Sequence, residues 1–140
     1  MTTTTLREPS LLTSRTVRGA AADAVIVCVR PKGRGIALQG PALAGAAFAD
    51  AILESLAAIR ASASAGAIAV VPSPDPARCG RVVAVGLGGT AGQTEAERLE
   101  QVRSAVGAAV RSLTDATTVA ILAPADDADT VAATAMGAQL

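Results

Sequence analysis

The sequence predicts an α/β domain of three layers, with helices on both faces of a mixed central sheet. Three observations predict it. Four short apolar runs rich in β-branched residues have the continuous character of strands covered on both faces. Segments with apolar residues every three or four positions lie between them. The alternation of the two leaves a sheet as the layer that the helices must sandwich.

The first run is Ala24-Val-Ile-Val-Cys-Val29, bounded by Asp23 and by Arg30-Pro-Lys-Gly33. The others are Ala67-Ile-Ala-Val-Val71, Val82-Val-Ala-Val85 and Thr118-Val-Ala-Ile-Leu122. Thr13 to Val17 is expected to add an edge strand. Phe48, Ile52, Leu56 and Ile59 share one stripe of a helix over about 46–60, with Asp50 and Glu54 off it. Leu99, Val102, Val106, Val110 and Leu113 form the stripe of a second helix over roughly 94–113. Thr94-Glu-Ala-Glu97 opens it as a capping box, in which the hydroxyl serves one backbone N–H and Glu97 another. Arg103 and Arg111 follow later, as the helix dipole favours. A third helix is expected from Asp126 or Asp127 onward, carrying Val131, Ala135 and Leu140. Pro72-Ser-Pro-Asp-Pro-Ala77 is a loop, because three prolines in five residues do not fit a ladder. The strands on either side of it are placed to pair antiparallel, which makes the sheet mixed.

With 140 residues the chain has the size of one domain. Residues 1–11 read as a flexible tail and 12–140 as the domain. Hydrophobic residues are 51% and aromatics 1%, the lone Phe48, while Ala alone supplies 34 positions. The core must therefore be built from Val, Ile, Leu and small Ala contacts in thin, close layers. Twelve acids balance twelve bases. That neutrality argues against nucleic acid or an anionic membrane as partner. No run of apolar residues is long enough to span a bilayer. The start lacks the basic and apolar regions of a secretory signal. Two isolated positions, Cys28 and Cys79, leave a disulfide open; the simpler reading is buried or incidental thiols of a reducing cytoplasm.

Candidate chemistry is sparse. With no His and a single Lys, an ordinary Ser/His/Asp or Cys/His relay is excluded. Lys32 has no Ser near it in local spacing. Gly86-Leu-Gly-Gly-Thr-Ala-Gly92 follows a strand and precedes a capped helix, a context in which Gly86, Gly88, Gly89 and Gly92 could let backbone N–H groups approach a phosphate. Its spacing fits neither the dinucleotide fingerprint nor the Walker pattern. The simpler reading is a strand-to-helix turn with glycines at positive φ. Pro31-Lys-Gly-Arg-Gly35 reads as a solvated basic loop. Asp126, Asp127 and Asp129 read as helix-start residues rather than metal ligands. The sequence thus assigns no catalytic and no metal-binding residue.

Several segments, in this order, resemble the N-terminal domain of the leucyl aminopeptidases, the cytosol aminopeptidase family of two-metal exopeptidases. Ala22-Asp-Ala-Val-Ile-Val-Cys-Val29 is similar to the family's opening strand. Arg81-Val-Val-Ala-Val-Gly-Leu-Gly-Gly89 is similar to its "RVLLVGLG" strand and turn. The helix from Glu95 to Leu113 carries the family's texture at Arg98, Ala105, Ala109, Arg111 and Leu113. The Val119-Ala-Ile-Leu122 strand follows, and Ala133-Thr-Ala-Met-Gly-Ala-Gln-Leu140 resembles the helix leading toward the catalytic domain.

The resemblance covers residues 12–140 and implies a macro-domain-like fold. It also implies a C-terminal catalytic domain holding two divalent ions, manganese, zinc or magnesium, that activate water. Further implications are a cytoplasmic location and a homo-hexamer, with this domain supporting assembly and shaping access to the active sites. The family's "NTDAEGR" metal motif is absent here, so no catalytic or metal residue carries over. The chain ends within a helical period, which predicts continuation beyond Leu140. Some relatives bind DNA; neutral charge argues against it here. The competing reading is a stand-alone nucleotide or ADP-ribose module using the Gly86–Gly92 turn. The lack of Trp and Tyr removes the usual stacking partner for a base.

Overall fold

A computed structural model describes residues 22–39, 46–74, 79–89, 92–113, 115, 119–122 and 132. Its elements are β1 (Ala22–Lys32), β2 (Gly35–Gln39), α1 (Ala46–Ala58), β3 (Ile68–Pro72), β4 (Cys79–Gly86), α2 (Glu95–Ser112) and β5 (Val119–Leu122). The expected edge strand at Thr13–Val17, the tail over 1–11 and the third helix with Asp126, Asp127 and Asp129 lie outside the described residues, apart from Ala132, which is helical.

The five strands form one mixed sheet. β1 is its spine. Along one edge it pairs parallel with β4, from Ala22↔Cys79 to Val29↔Gly86. Its other edge is shared in two stretches. β5 pairs parallel from Ala24↔Val119 to Val27↔Leu122, and β2 pairs antiparallel from Cys28↔Gln39 to Lys32↔Gly35. β3 pairs antiparallel with β4, Ile68 facing Val85 and Pro72 facing Arg81, as the short Pro-rich connection predicts.

Strand alternation divides the core in two. Ala24, Ile26 and Cys28 of β1 join Val83 and Val85 of β4 against Val102, Ala105, Val106 and Ala109 of α2. Val25, Val27 and Val29 join Val82 and Ala84 on the opposite face, where Ile52 and Leu56 of α1 cover them. Every second residue of the same two strands thus serves a different helix, and the domain is a three-layer α/β/α structure. The small side chains allow this: Ala24, Ala84, Ala105 and Ala109 are all buried where sheet and helix approach.

The structure differs from the sequence reading in four places. Pro31-Lys-Gly-Arg-Gly35 is not a free loop. Pro31 and Lys32 end β1, Gly33 and Arg34 turn, and Gly35 opens β2. Gly33 stands at φ +58° and Arg34 keeps a negative φ, the signs of a type II′ hairpin turn. Pro31 costs that hairpin nothing. The Val29 carbonyl accepts the Leu87 N–H from the β4 side, so two residues on Pro31 also faces away from β2, where no donor is needed.

Helix α1 ends at Ala58 rather than near 60. Arg60 at φ +53° breaks it, and Ile59, expected on the buried stripe, is 54% exposed. Pro72 closes β3 instead of opening the loop. The fourth difference is the cap of α2. Thr94 Oγ1 accepts the Glu97 N–H at 3.2 Å, but the Glu97 carboxylate accepts the Thr94 hydroxyl, also at 3.2 Å. The reciprocal half of the capping box is thus made to the side chain.

Candidate functional site

In an open parallel sheet, ligands enter at the carboxyl ends of the strands. Here that rim is built from the end of β1, the glycine turn after β4 and the first two turns of α2. The turn begins at Gly86, which is buried beside the connection from α1 to β3. Its N–H donates to the Ala67 carbonyl at 2.8 Å, and its carbonyl accepts the Gly66 N–H at 2.9 Å. The backbones approach so closely that a Cβ on Gly86 would overlap the Ser64 carbonyl oxygen and lie 2.8 Å from that of Ala63. Leu87 donates to Val29 at 2.8 Å and Gly88 to Ala63 at 3.0 Å.

Three consecutive N–H groups of the turn are therefore spent on backbone carbonyls. A phosphate at Gly86 or Gly88 would have to displace them, at a cost of about 1 kcal/mol or more each. Gly88 also supplies positive φ, +77°. Gly89 and Gly92 are exposed, with open space where a Cβ would stand; Gly92 has φ +73°. The four glycines stand in two environments: Gly86 and Gly88 buried and bonded, Gly89 and Gly92 open.

Among the charged groups at this rim is Arg30, which the sequence reading treated only as a strand boundary. Its Nη1 donates to the Gly88 carbonyl at 3.1 Å and to Gln101 Oε1 at 2.8 Å. Burial, and secondly the charge of Arg98, pull this guanidinium below its ordinary value; it remains a cation. Arg30 fastens β1, the turn and α2 together. No local pattern signals this, because its partners lie 58 and 71 positions away.

Beside the turn an open cleft of about 520 Å³ runs between Gly66 and Gly86 on one side and Glu97, Glu100, Gln101 and Ser104 of α2 on the other. Its acids are engaged: Glu97 with Thr94 and Glu100 with Arg103, whose Nε donates at 2.7 Å. That bond holds the Glu100 carboxyl below its ordinary range.

The other reactive side chains toward the end of β1 are Cys28 and Lys32. Cys28 is a free, buried thiol that burial pushes up to about 12. At neutral pH it is a protonated core residue and not a nucleophile. Lys32 is exposed at the hairpin. At the opposite end of β4, Arg81 is paired with Asp115, tying the strand's start to the connection between α2 and β5. Among the described residues, no group of three or more His, Cys, Asp or Glu side chains is placed to hold a metal ion. Nor is any described helix long and apolar enough to cross a membrane.

Fold and rim together define a small α/β domain whose polar groups at the strand ends are used to brace its own backbone. The family model for the N-terminal domain of the cytosol aminopeptidase family matches residues 26–140, and the chain belongs to that family. Among solved structures it is similar to the bottromycin maturation enzyme BotP. The identity is 26% and the TM-score 0.54, over 84% of this chain and 22% of that one. The chain thus spans about a fifth of that enzyme's length. No curated protein matches it.

Proposed function

We propose that this domain is the non-catalytic N-terminal part of a metal-dependent exopeptidase that releases N-terminal residues from peptides. In this reading the catalytic residues and two divalent ions, manganese, zinc or magnesium, belong to a following catalytic domain. This domain supports a cytoplasmic homo-hexamer and shapes access to its active sites. The observation that carries the reading is the family match over 26–140. The rim geometry supports it: Arg30, Gln101 and the N–H groups of Gly86, Leu87 and Gly88 are committed to internal bonds, as suits a rigid supporting layer.

Leu-p-nitroanilide with added manganese tests the reading directly. The 140-residue chain alone should give no turnover. The same chain joined to a cytosol aminopeptidase catalytic domain should give metal-dependent turnover and sediment as a hexamer. Metal-dependent hydrolysis by the chain alone would overturn the division of labour, and a fused protein that stays monomeric would overturn the role in assembly.

A further inference from the structure

Among the described residues, the exposed large hydrophobic side chains are Ile59, Ile68 and Val70, and two of these three stand on β3. Ile68 is 40% and Val70 56% exposed; Pro72, two residues on, is exposed as well. Ala69 and Val71 point to the α1 side, where they join its core. Ile68 and Val70 therefore lie on the α2 side, next to their cross-strand partners Val85 and Val83. Among the described residues β3 ends the strand order, with β4 on one side only.

The hydrogen bonds fix which backbone groups this edge presents. Gly86 N–H donates to Ala67 and Leu87 N–H to Val29 of β1, so successive residues of β4 bond alternately to β3 and β1. Counting from the Ala67–Gly86 pair, Ala69 and Val71 turn their polar groups inward to β4. Ile68, Val70 and Pro72 turn theirs outward. The open edge offers two N–H donors, at 68 and 70, and three carbonyls. Pro72, which has no donor, sits where none is needed for the ladder.

This pattern is complementary to itself about Val70. With a second copy antiparallel and Val70 facing Val70, those two residues exchange N–H···O bonds in both directions. Each Ile68 N–H then meets the Pro72 carbonyl of the other copy. Every outward donor finds an acceptor, and the unmatched group is the Ile68 carbonyl, opposite a proline. Ile68, Val70 and Pro72 of both copies would line up as one apolar row on the α2 side.

Charge does not oppose the contact. Between Arg60 and Asp75 the chain has no charged residue, so the two-fold brings no like charges face to face. Natural sheet edges are commonly protected by an inserted charge, Lys above all; β3 has none. A charged partner would find no counter-ion on this strand, whereas a second copy matches it in polarity, donor pattern and shape.

We propose that β3 is a homotypic docking edge, through which two copies of this chain pair antiparallel across a two-fold axis at Val70 and join their sheets into one. The contact is strand addition and rests on edge geometry alone, whether or not a hexamer forms. A single strand pair buries less than a standard interface, so the dimer is weak and concentration-dependent.

Sedimentation velocity of the 140-residue chain from about 5 to about 500 µM, the range in which so small a contact dissociates, should show a monomer–dimer equilibrium. Val70→Lys, and separately Ile68→Lys, should raise the dissociation constant at least about tenfold with unchanged far-UV circular dichroism. Facing Cα atoms of a bonded antiparallel pair are about 5.5 Å apart, within disulfide reach. Val70→Cys in a Cys79→Ser background should therefore cross-link copies under mild oxidation, while Ala57→Cys, exposed on α1, should not. A chain monomeric at every concentration, a dimer indifferent to both lysines, or cross-linking no faster at 70 than at 57 would overturn the proposal. So would a monomeric chain that binds a catalytic domain of the family and loses that binding with Val70→Lys, which would give the edge to that domain.

Discussion

Gly86 and Cys28 show opposite ways in which a single residue is held in this domain. At Gly86 the constraint is space. The Ser64 carbonyl occupies the place where a Cβ would go, and it belongs to backbone that is itself bonded to the turn. Neither side can yield without breaking a bond, so Gly86→Ala should destabilise the domain by roughly 2–4 kcal/mol. Gly89→Ala, where the same atom meets open space, should change little; urea denaturation of the two variants makes the comparison. At Cys28 the constraint is solvation. The thiol lies in the apolar layer under α2, and burial raises it from 9.0 to about 12. Below pH 9 both folded and unfolded chains carry the neutral thiol, and stability has its full value. Between about pH 9 and 12 only the unfolded chain ionises, so unfolding is increasingly favoured, and the loss is complete once the folded thiol titrates. The chain has no Tyr and one Lys, which leaves this window nearly free of other titrations. In a Cys79→Ser background, the urea midpoint should fall steadily across it, and Cys28→Ala should flatten that slope.

Helix α2 owes its register to its first turn. Thr94 accepts the Glu97 N–H, Glu95 and Glu97 occupy the positive end of the dipole, and Arg111 the negative end. Thr94→Ala should cost about 1 kcal/mol, read as a lower urea midpoint with an unchanged slope. Because the Glu97 side chain bonds the Thr94 hydroxyl and not its N–H, Glu97→Ala should cost less than Thr94→Ala. Elements of this kind were readable in the sequence. The α2 stripe from Leu99 to Leu113 returns as the layer over β1 and β4, and the apolar runs return as the strands Ala22–Lys32, Ile68–Pro72, Cys79–Gly86 and Val119–Leu122. β2 was not readable. Gly35-Ile-Ala-Leu-Gln39 has only two alternating apolar residues, Ile36 and Leu38, and its existence depends on the Gly33 turn and on β1 extending through Pro31. The rim shows the same divide. The glycines were visible because turn chemistry is local; Arg30 was not, since its role arises only when β1 and α2 are brought together. Sequence periodicity reports what a residue does within its own element, and says little of a bond between elements far apart in the chain.

Across the whole molecule, the sheet is graded from a spine to an edge. β1 has neighbours on both sides and both faces covered, and β4 lies between β1 and β3. The same two strands feed both helical layers, so neither layer can open without exposing the backs of residues that the other packs against. Amide exchange should report this directly. Amides of Val25 to Cys28 and of Val82 to Val85, in the two central strands covered on both faces, should exchange only through global opening. β3 should behave differently, with protection that alternates along the strand. Ala69 and Val71 face β4 and should be slow, while Ile68 and Val70 face away from it and should exchange quickly at low protein concentration. If copies pair through this edge, raising the concentration should slow Ile68 and Val70 together and leave Ala69 and Val71 as they were. Equal protection of all four amides in the dilute monomer would mean that the outward groups are already covered within one chain, and the hydrogen-bond parity of β3 would then be wrong.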